Sequence, residues 1–165
     1  MMASTEVKIF SKPKKVFKGV AKEILKLTQL SQQERFDIAL PGGDTPKKLF
    51  NFLGEDYKNV LPWKRIHFWW GDERCVSPDS NQSNFKLAFD NLFSHIDIPK
   101  ENIHRIQGEN IPVDEVFRYT AEIEENLIYR GDTPVFDLVI LGLGEDGRGL
   151  QHHLWPRLFG ERALA

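Results

Sequence analysis

The chain has 165 residues, 41% of them hydrophobic, with 22 Lys and Arg against 24 Asp and Glu. A single domain of this length buries roughly 70% of the surface that its unfolded chain exposes. The near balance of charge leaves no basic field to collect nucleic acid, and no stretch approaches the roughly 20 apolar residues of a membrane span. The opening residues Met1 to Glu6 lack a charged and then apolar leader, and the single cysteine, Cys75, excludes an internal disulfide, so a reducing cytoplasm is the expected compartment.

In chain order, Val7 to Phe10 reads as a short strand, and Ser11 with Pro13 as a helix start, since Ser caps and Pro suits the first turn. Phe17, Val20, Ala21, Ile24, Leu25 and Thr28 then recur at helical spacing, with Lys14, Lys15, Lys18, Lys22 and Lys26 on the other side. The lysine run reads most simply as a solvated face; a nucleic-acid patch is the less economical alternative. Phe36 to Leu40 is a buried strand, followed by a helix from about Pro46 to Leu53. Arg65 to Trp70 is the next strand and Ser83 to Phe93 the next helix, whose aromatic residues read as core. His104 to Ile106 is a short strand, Val113 to Tyr129 a helix, and Phe136 to Leu141 the plainest buried strand. Strand and helix alternate throughout, which predicts a mainly parallel sheet covered on both faces by helices, with right-handed crossovers, in one domain spanning 1–165.

Three strands end in turns that carry chemistry, and in such sheets the carboxyl ends of the strands hold the active site. After Leu40, Pro41-Gly42-Gly43-Asp44-Thr45-Pro46 lets the backbone turn its N–H groups and a helix start toward an anion such as phosphate. Asp44 can cap that helix, but its carboxylate would compete with a bound anion for the same N–H groups; an ordinary capped turn is the alternative. After Trp70, Gly71-Asp72-Glu73-Arg74 offers a guanidinium able to grip phosphate or a sugar carboxylate through paired hydrogen bonds, or simply to pair with its acidic neighbours. Cys75 follows; with no histidine tied to it by any local pattern, it reads as a small filler that tolerates partial burial rather than a nucleophile. After Leu141, Gly142-Leu143-Gly144-Glu145-Asp146-Gly147 satisfies a dinucleotide spacing, but the second strand and the acidic residue about 20 positions on have no room before Ala165.

Taken together these turns resemble those of the 6-phosphogluconolactonase family, within the wider group of sugar-phosphate isomerases and deaminases. The family's first turn reads Gly-Gly-Ser-Thr-Pro; Gly42, Gly43, Thr45 and Pro46 match, and Asp44 takes the serine's place. Its Asp-Glu-Arg triplet is matched by Asp72-Glu73-Arg74, and its Ser-Asn pair by Ser80-Asn81 or Ser83-Asn84. The related deaminases carry an aromatic residue where Arg74 stands, so Arg74 favours the lactonase branch. The resemblance implies a three-layer αβα fold with a Rossmann-like sheet of the sugar-phosphate isomerase/CoA-transferase-like kind. It also implies a sugar-phosphate substrate held by Gly42, Gly43, Asp44, Thr45, Arg74 and Gly144, with Asp146 positioning a catalytic histidine. No metal, organic cofactor, nucleic acid or membrane is implied.

The pattern breaks where that histidine belongs. The family continues His-Thr-Ala-Ser after the last glycine, whereas this chain continues Arg148-Gly149-Leu150-Gln151-His152-His153. A guanidinium does not deprotonate in proteins, so Arg148 cannot accept the proton of an attacking water, and His152 and His153 are displaced along the turn. Leu150 to His153 can be encoded as TTA-CAG-CAT-CAT, and those bases read Thr-Ala-Ser from the third position, so a shifted reading frame is one account of the divergent tail from 148 to 165. The resemblance covers about 6–147, and the far side of the family's pocket, together with cover for one sheet edge, is expected to be missing.

Overall fold

A computed structural model of the protein describes residues 5–142. Its center is a four-stranded parallel sheet in the order β3-β2-β1-β6, built from β1 (Phe36–Leu40), β2 (Ile66–Trp70), β3 (Ile103–His104) and β6 (Leu138–Val139). β1 pairs in register with β2 from Phe36↔Ile66 to Leu40↔Trp70, and with β6 at Ile38↔Leu138 and Ala39↔Val139. A separate antiparallel hairpin joins β4 (Ile128–Arg130) to β5 (Thr133–Val135).

The central strands β1 and β2 are buried on both sides, and their alternation assigns each side chain to a layer. Phe36, Ile38 and Leu40 of β1, with Ile66, Phe68 and Trp70 of β2, meet the helices α1 (Pro13–Leu30), α2 (Asp44–Asp56) and α3 (Asn84–Asn91) in one core. Ala39 and Trp69 point the other way, against Tyr119, Ile123 and Leu127 at the end of α4 (Pro112–Asn126). The helical stripe of α1 lies as its spacing predicts: Ala21, Ile24 and Thr28 are buried, and the five lysines of the opposite face are exposed. No helix among the described residues is long and apolar enough to cross a membrane.

Several local expectations are corrected. Val7 to Phe10 is not a strand; among the described residues no neighbour pairs with it, and Val7 and Ile9 are exposed. Ser11 does not cap α1: Lys12 stands at the cap without a side-chain bond, and Pro13 opens the helix. At the other end, Arg65 ties the last turn of α1 to the segment that follows it, its guanidinium donating to Thr28 O (3.2 Å), Ser31 O (3.2 Å), Gln33 O (2.5 Å) and Glu34 O (3.3 Å). The last helix stops at Asn126, and Tyr129 belongs to the hairpin, which helical spacing concealed. The short strand at His104 begins at Ile103 and ends there. Phe136 to Leu141 yields only two paired residues, partly buried, because among the described residues β6 has a neighbour on one side alone.

Candidate active site

The parallel register brings the turns after β1, β2 and β6 to one edge of the sheet. At the first, Gly43 adopts φ 107°, a conformation that side chains rarely enter, and from there α2 begins directly at Asp44. Its first helical bond runs from Lys47 N–H to Gly43 O at 3.1 Å. Asp44 is therefore the first residue of the helix rather than its cap, and among the described residues no side chain caps α2. Gly43, Asp44 and Thr45 are exposed, so the open N–H groups and the positive end of α2 face solvent, as an anion site requires. The Asp44 carboxylate stands in the same first turn, where it complements the helix dipole.

At the second turn, Gly71 N–H donates to Leu40 O at 3.3 Å and ties the two loops together. Glu73 then turns inward to the start of α3, accepting from the N–H groups of Asn84 (2.7 Å) and Phe85 (2.8 Å) and from the Ser83 hydroxyl (3.1 Å). Ser83 is the cap of α3, accepting from Lys86 N–H at 3.1 Å, so Ser83-Asn84 is the pair that opens the helix and Ser80-Asn81 lies in the turn before it. The Asn84 amide donates to Asp72 O at 3.0 Å. Asp72 is half-buried; that burial raises its pKa, against the opposing pull of Arg74 and Asn84. The Arg74 side chain is 62% exposed, with Nε 4.0 Å from Asp72 Oδ2. Its carboxylate neighbours therefore leave most of the guanidinium in solvent: Glu73 is committed to α3, and Asp72 stands at the limit of an ion pair.

β6 is held beside β1 by Asp37 N–H donating to Asp137 Oδ2 at 2.8 Å and by Ile140 N–H donating to Ala39 O at 3.0 Å. It delivers Leu141 and Gly142, both exposed, to the same edge as Pro41 and Gly42. Gly144, Asp146 and Arg148 lie outside the described residues. Of the expected site residues, Gly42, Gly43, Asp44, Thr45 and Arg74 thus belong to neighbouring turns of one edge. Beside them a cavity of about 460 Å³ opens between Glu73, Cys75, the 106–112 loop and α4. Cys75 on its wall is exposed, which corrects the expectation of a partly buried filler.

On the α4 side of the sheet, a polar network that the sequence reading did not assemble runs from Asp37 to Gln107 and Glu115 on the cavity wall. Asp37, buried in β1, accepts from Arg35 Nε (3.0 Å) and Trp69 Nε1 (2.8 Å). His67 Nδ1 lies 3.0 Å from His104 Nε2, whose ring stacks on Trp69 at 3.9 Å and donates from Nδ1 to Glu122 at 2.8 Å. Arg118 joins Glu122 to Glu115, and Glu115 also accepts from Gln107 N–H (2.7 Å). Burial first, and the Arg35 charge next, lower the His67 pKa to about 4. Burial opposes ionisation of Glu115, but its bonds to Arg118, Gln107 and Asn110 leave its pKa lowered. Period two places His67 and Trp69 on one face; no spacing signals that His104 and Glu122 join them. Among the described residues no group of three or more His, Cys, Asp or Glu could hold a metal ion.

Comparison with known proteins places this arrangement. Residues 11–148 match the family described as glucosamine-6-phosphate isomerases/6-phosphogluconolactonase. The chain is 46% identical over 129 residues to a 6-phosphogluconolactonase of Aggregatibacter actinomycetemcomitans, covering 78% of this chain and 53% of that protein. Among solved structures it is similar to a devB protein at 45% identity and a TM-score of 0.80, covering 86% of this chain and 59% of the other. It is also similar to the 6-phosphogluconolactonase of Thermotoga maritima, at 34% identity and a TM-score of 0.70, covering 83% and 58%. The chain spans about half the length of the curated relatives it matches.

Proposed function

The chain belongs to the glucosamine-6-phosphate isomerase/6-phosphogluconolactonase family, and from that membership we propose that the protein is built to hydrolyse 6-phospho-D-glucono-1,5-lactone to 6-phosphogluconate in the oxidative pentose phosphate pathway. Its working compartment in this reading is the cytoplasm, and it uses neither metal nor organic cofactor. The observation that supports the reading is the start of α2 at Gly43, without a side-chain cap among the described residues, on the same sheet edge as the solvent-facing Arg74, two elements suited to an anion. These hold the phosphate and orient the ring. Water then attacks the lactone carbonyl, its proton passes to a general base, and the ring C–O bond breaks as the ring oxygen takes up a proton. In the family's intact arrangement that base is a histidine at the position of Arg148, which Asp146 would help to position.

In this chain Arg148 stands where the family places the base, and a guanidinium cannot serve. Loss of a general base lowers the rate by about 10²- to 10⁴-fold. That substitution favours a second reading, a sugar-phosphate-binding protein that has lost turnover. A lactone-opening assay, read against the spontaneous rate in buffer, separates the two when joined to 6-phosphogluconate titration. The expected result is saturable binding with little turnover, and a gain of at least about 10²-fold in an Arg148→His variant with the His-Thr-Ala-Ser continuation restored. No acceleration by that variant overturns the lactonase reading.

A further inference from the structure

We propose that Glu73 is a positioning residue of the sugar-phosphate site, acting through Arg74; this rests on the reading of that site just given. Its carboxylate takes four hydrogen bonds: Oε1 accepts from the main-chain N–H of Arg74 (2.8 Å) and of Asn84 (2.7 Å), and Oε2 from Phe85 N–H (2.8 Å) and Ser83 Oγ (3.1 Å). One side chain therefore closes the start of α3 and fixes the peptide from which the Arg74 side chain departs.

Two effects on the site follow. The N–H groups of Asn84 and Phe85 are taken by Glu73 and that of Lys86 by Ser83, so α3 offers an incoming anion no open donor, whereas α2 carries no side-chain cap among the described residues. The carboxylate thereby leaves the phosphate one helix start at this edge instead of two. Arg74, in turn, has among the described residues no short ion pair to hold its guanidinium, its side chain being 62% exposed and 4.0 Å from Asp72. A long side chain anchored at its root loses less freedom on gripping an anion, so fixing its peptide strengthens binding without any contact to the ligand. The neighbouring carboxylate in the triplet is thus a device for aiming the guanidinium, and an ion pair with it would defeat that purpose.

The test is calorimetric titration of 6-phosphogluconate into the full chain, its Glu73→Gln and Arg74→Ala variants, and the double variant. Glutamine keeps the size of Glu73 but turns an amide nitrogen toward an N–H donor. Glu73→Gln is expected to weaken binding about tenfold, Arg74→Ala to weaken it at least as much, and the double variant to bind like Arg74→Ala alone, because residues acting as a unit are not additive. Glu73→Gln binding as tightly as the unaltered chain, or losses that multiply, overturns the proposal; multiplied losses are what a purely structural helix cap would give. Amide exchange at Arg74, Asn84 and Phe85 in the same samples keeps the two readings apart. If the unaltered chain does not bind 6-phosphogluconate, the sugar-phosphate reading fails, and exchange alone decides the rest: faster exchange at these amides in Glu73→Gln sustains Glu73 as the anchor of Arg74, and unchanged exchange overturns it.

Discussion

The side chain of Asn84 lies so close over Gly42 that a Cβ there would stand 2.0 Å from Asn84 Oδ1 and 2.4 Å from its Cγ. Asn84 is buried and tethered to Asp72 O, so it has little freedom to withdraw. The turn after the first strand and the turn after the second are therefore fitted against each other at one glycine. Gly42→Ala is expected to destabilise the protein by about 1–3 kcal/mol, as overpacking does, and to weaken sugar-phosphate binding with it. A denaturant midpoint measured beside the binding constant checks both.

Tyr119 is the polar rivet between α4 and the sheet. Its hydroxyl accepts from Trp70 N–H at 2.9 Å and lies 3.2 Å from Trp70 O and 3.3 Å from His104 O, in a buried setting that raises its pKa. Tyr119→Phe leaves a buried backbone N–H without a partner, which costs about 1–3 kcal/mol. Urea unfolding followed by tryptophan fluorescence should show a lower midpoint with an unchanged slope.

Arg65 fastens the end of α1 and the segment after it by donating to the carbonyls of Thr28, Ser31, Gln33 and Glu34. Arg65→Ala is expected to cost about 1–3 kcal/mol, the range of charged hydrogen bonds to buried or half-buried acceptors. Arg65→Lys should recover only part of this, since an ammonium cannot span the same fork. Thermal unfolding of the two variants gives the order directly.

His67 makes stability depend on pH. Burial and the charge of Arg35 hold its pKa down at about 4 from the ordinary 6.5, with His104 in the same sense and Asp37 and Glu101 opposing. A depressed histidine is neutral in the fold and protonates more readily in the unfolded chain. Its contribution is therefore fully present above pH 6.5 and is lost as pH falls from 6.5 toward 4. The melting temperature should drop across that window, and a His67→Gln variant should show a shallower drop. An equally steep drop in the variant would assign the acid sensitivity to the carboxylates instead.

How much of this was legible in the chain differs by element. The strand expected at Val7 to Phe10 is absent, and the β4-β5 hairpin went unread. The strands of the parallel sheet and the helices between them were legible, because a sheet buried on both faces needs continuous apolar runs such as Phe36–Leu40 and Ile66–Trp70, and covering helices need stripes such as that of α1. So was the candidate edge: a glycine that must take φ 107° at position 43 and an arginine after a strand are local demands, written locally. The chemistry expected of Gly144, Asp146 and Arg148 rests on sequence alone, since these lie outside the described residues. What tertiary structure alone decided is which partner each polar group takes. Nothing local tells that Glu73 serves Asn84 and Phe85 rather than its neighbour's guanidinium, that Arg65 reaches carbonyls 31 to 37 positions upstream at and after the end of α1, or that His104 bridges His67 to Glu122. Periodicity reports which side of an element is apolar because burial acts on each residue separately, whereas a hydrogen bond belongs to a pair, and only the folded register brings the pair together.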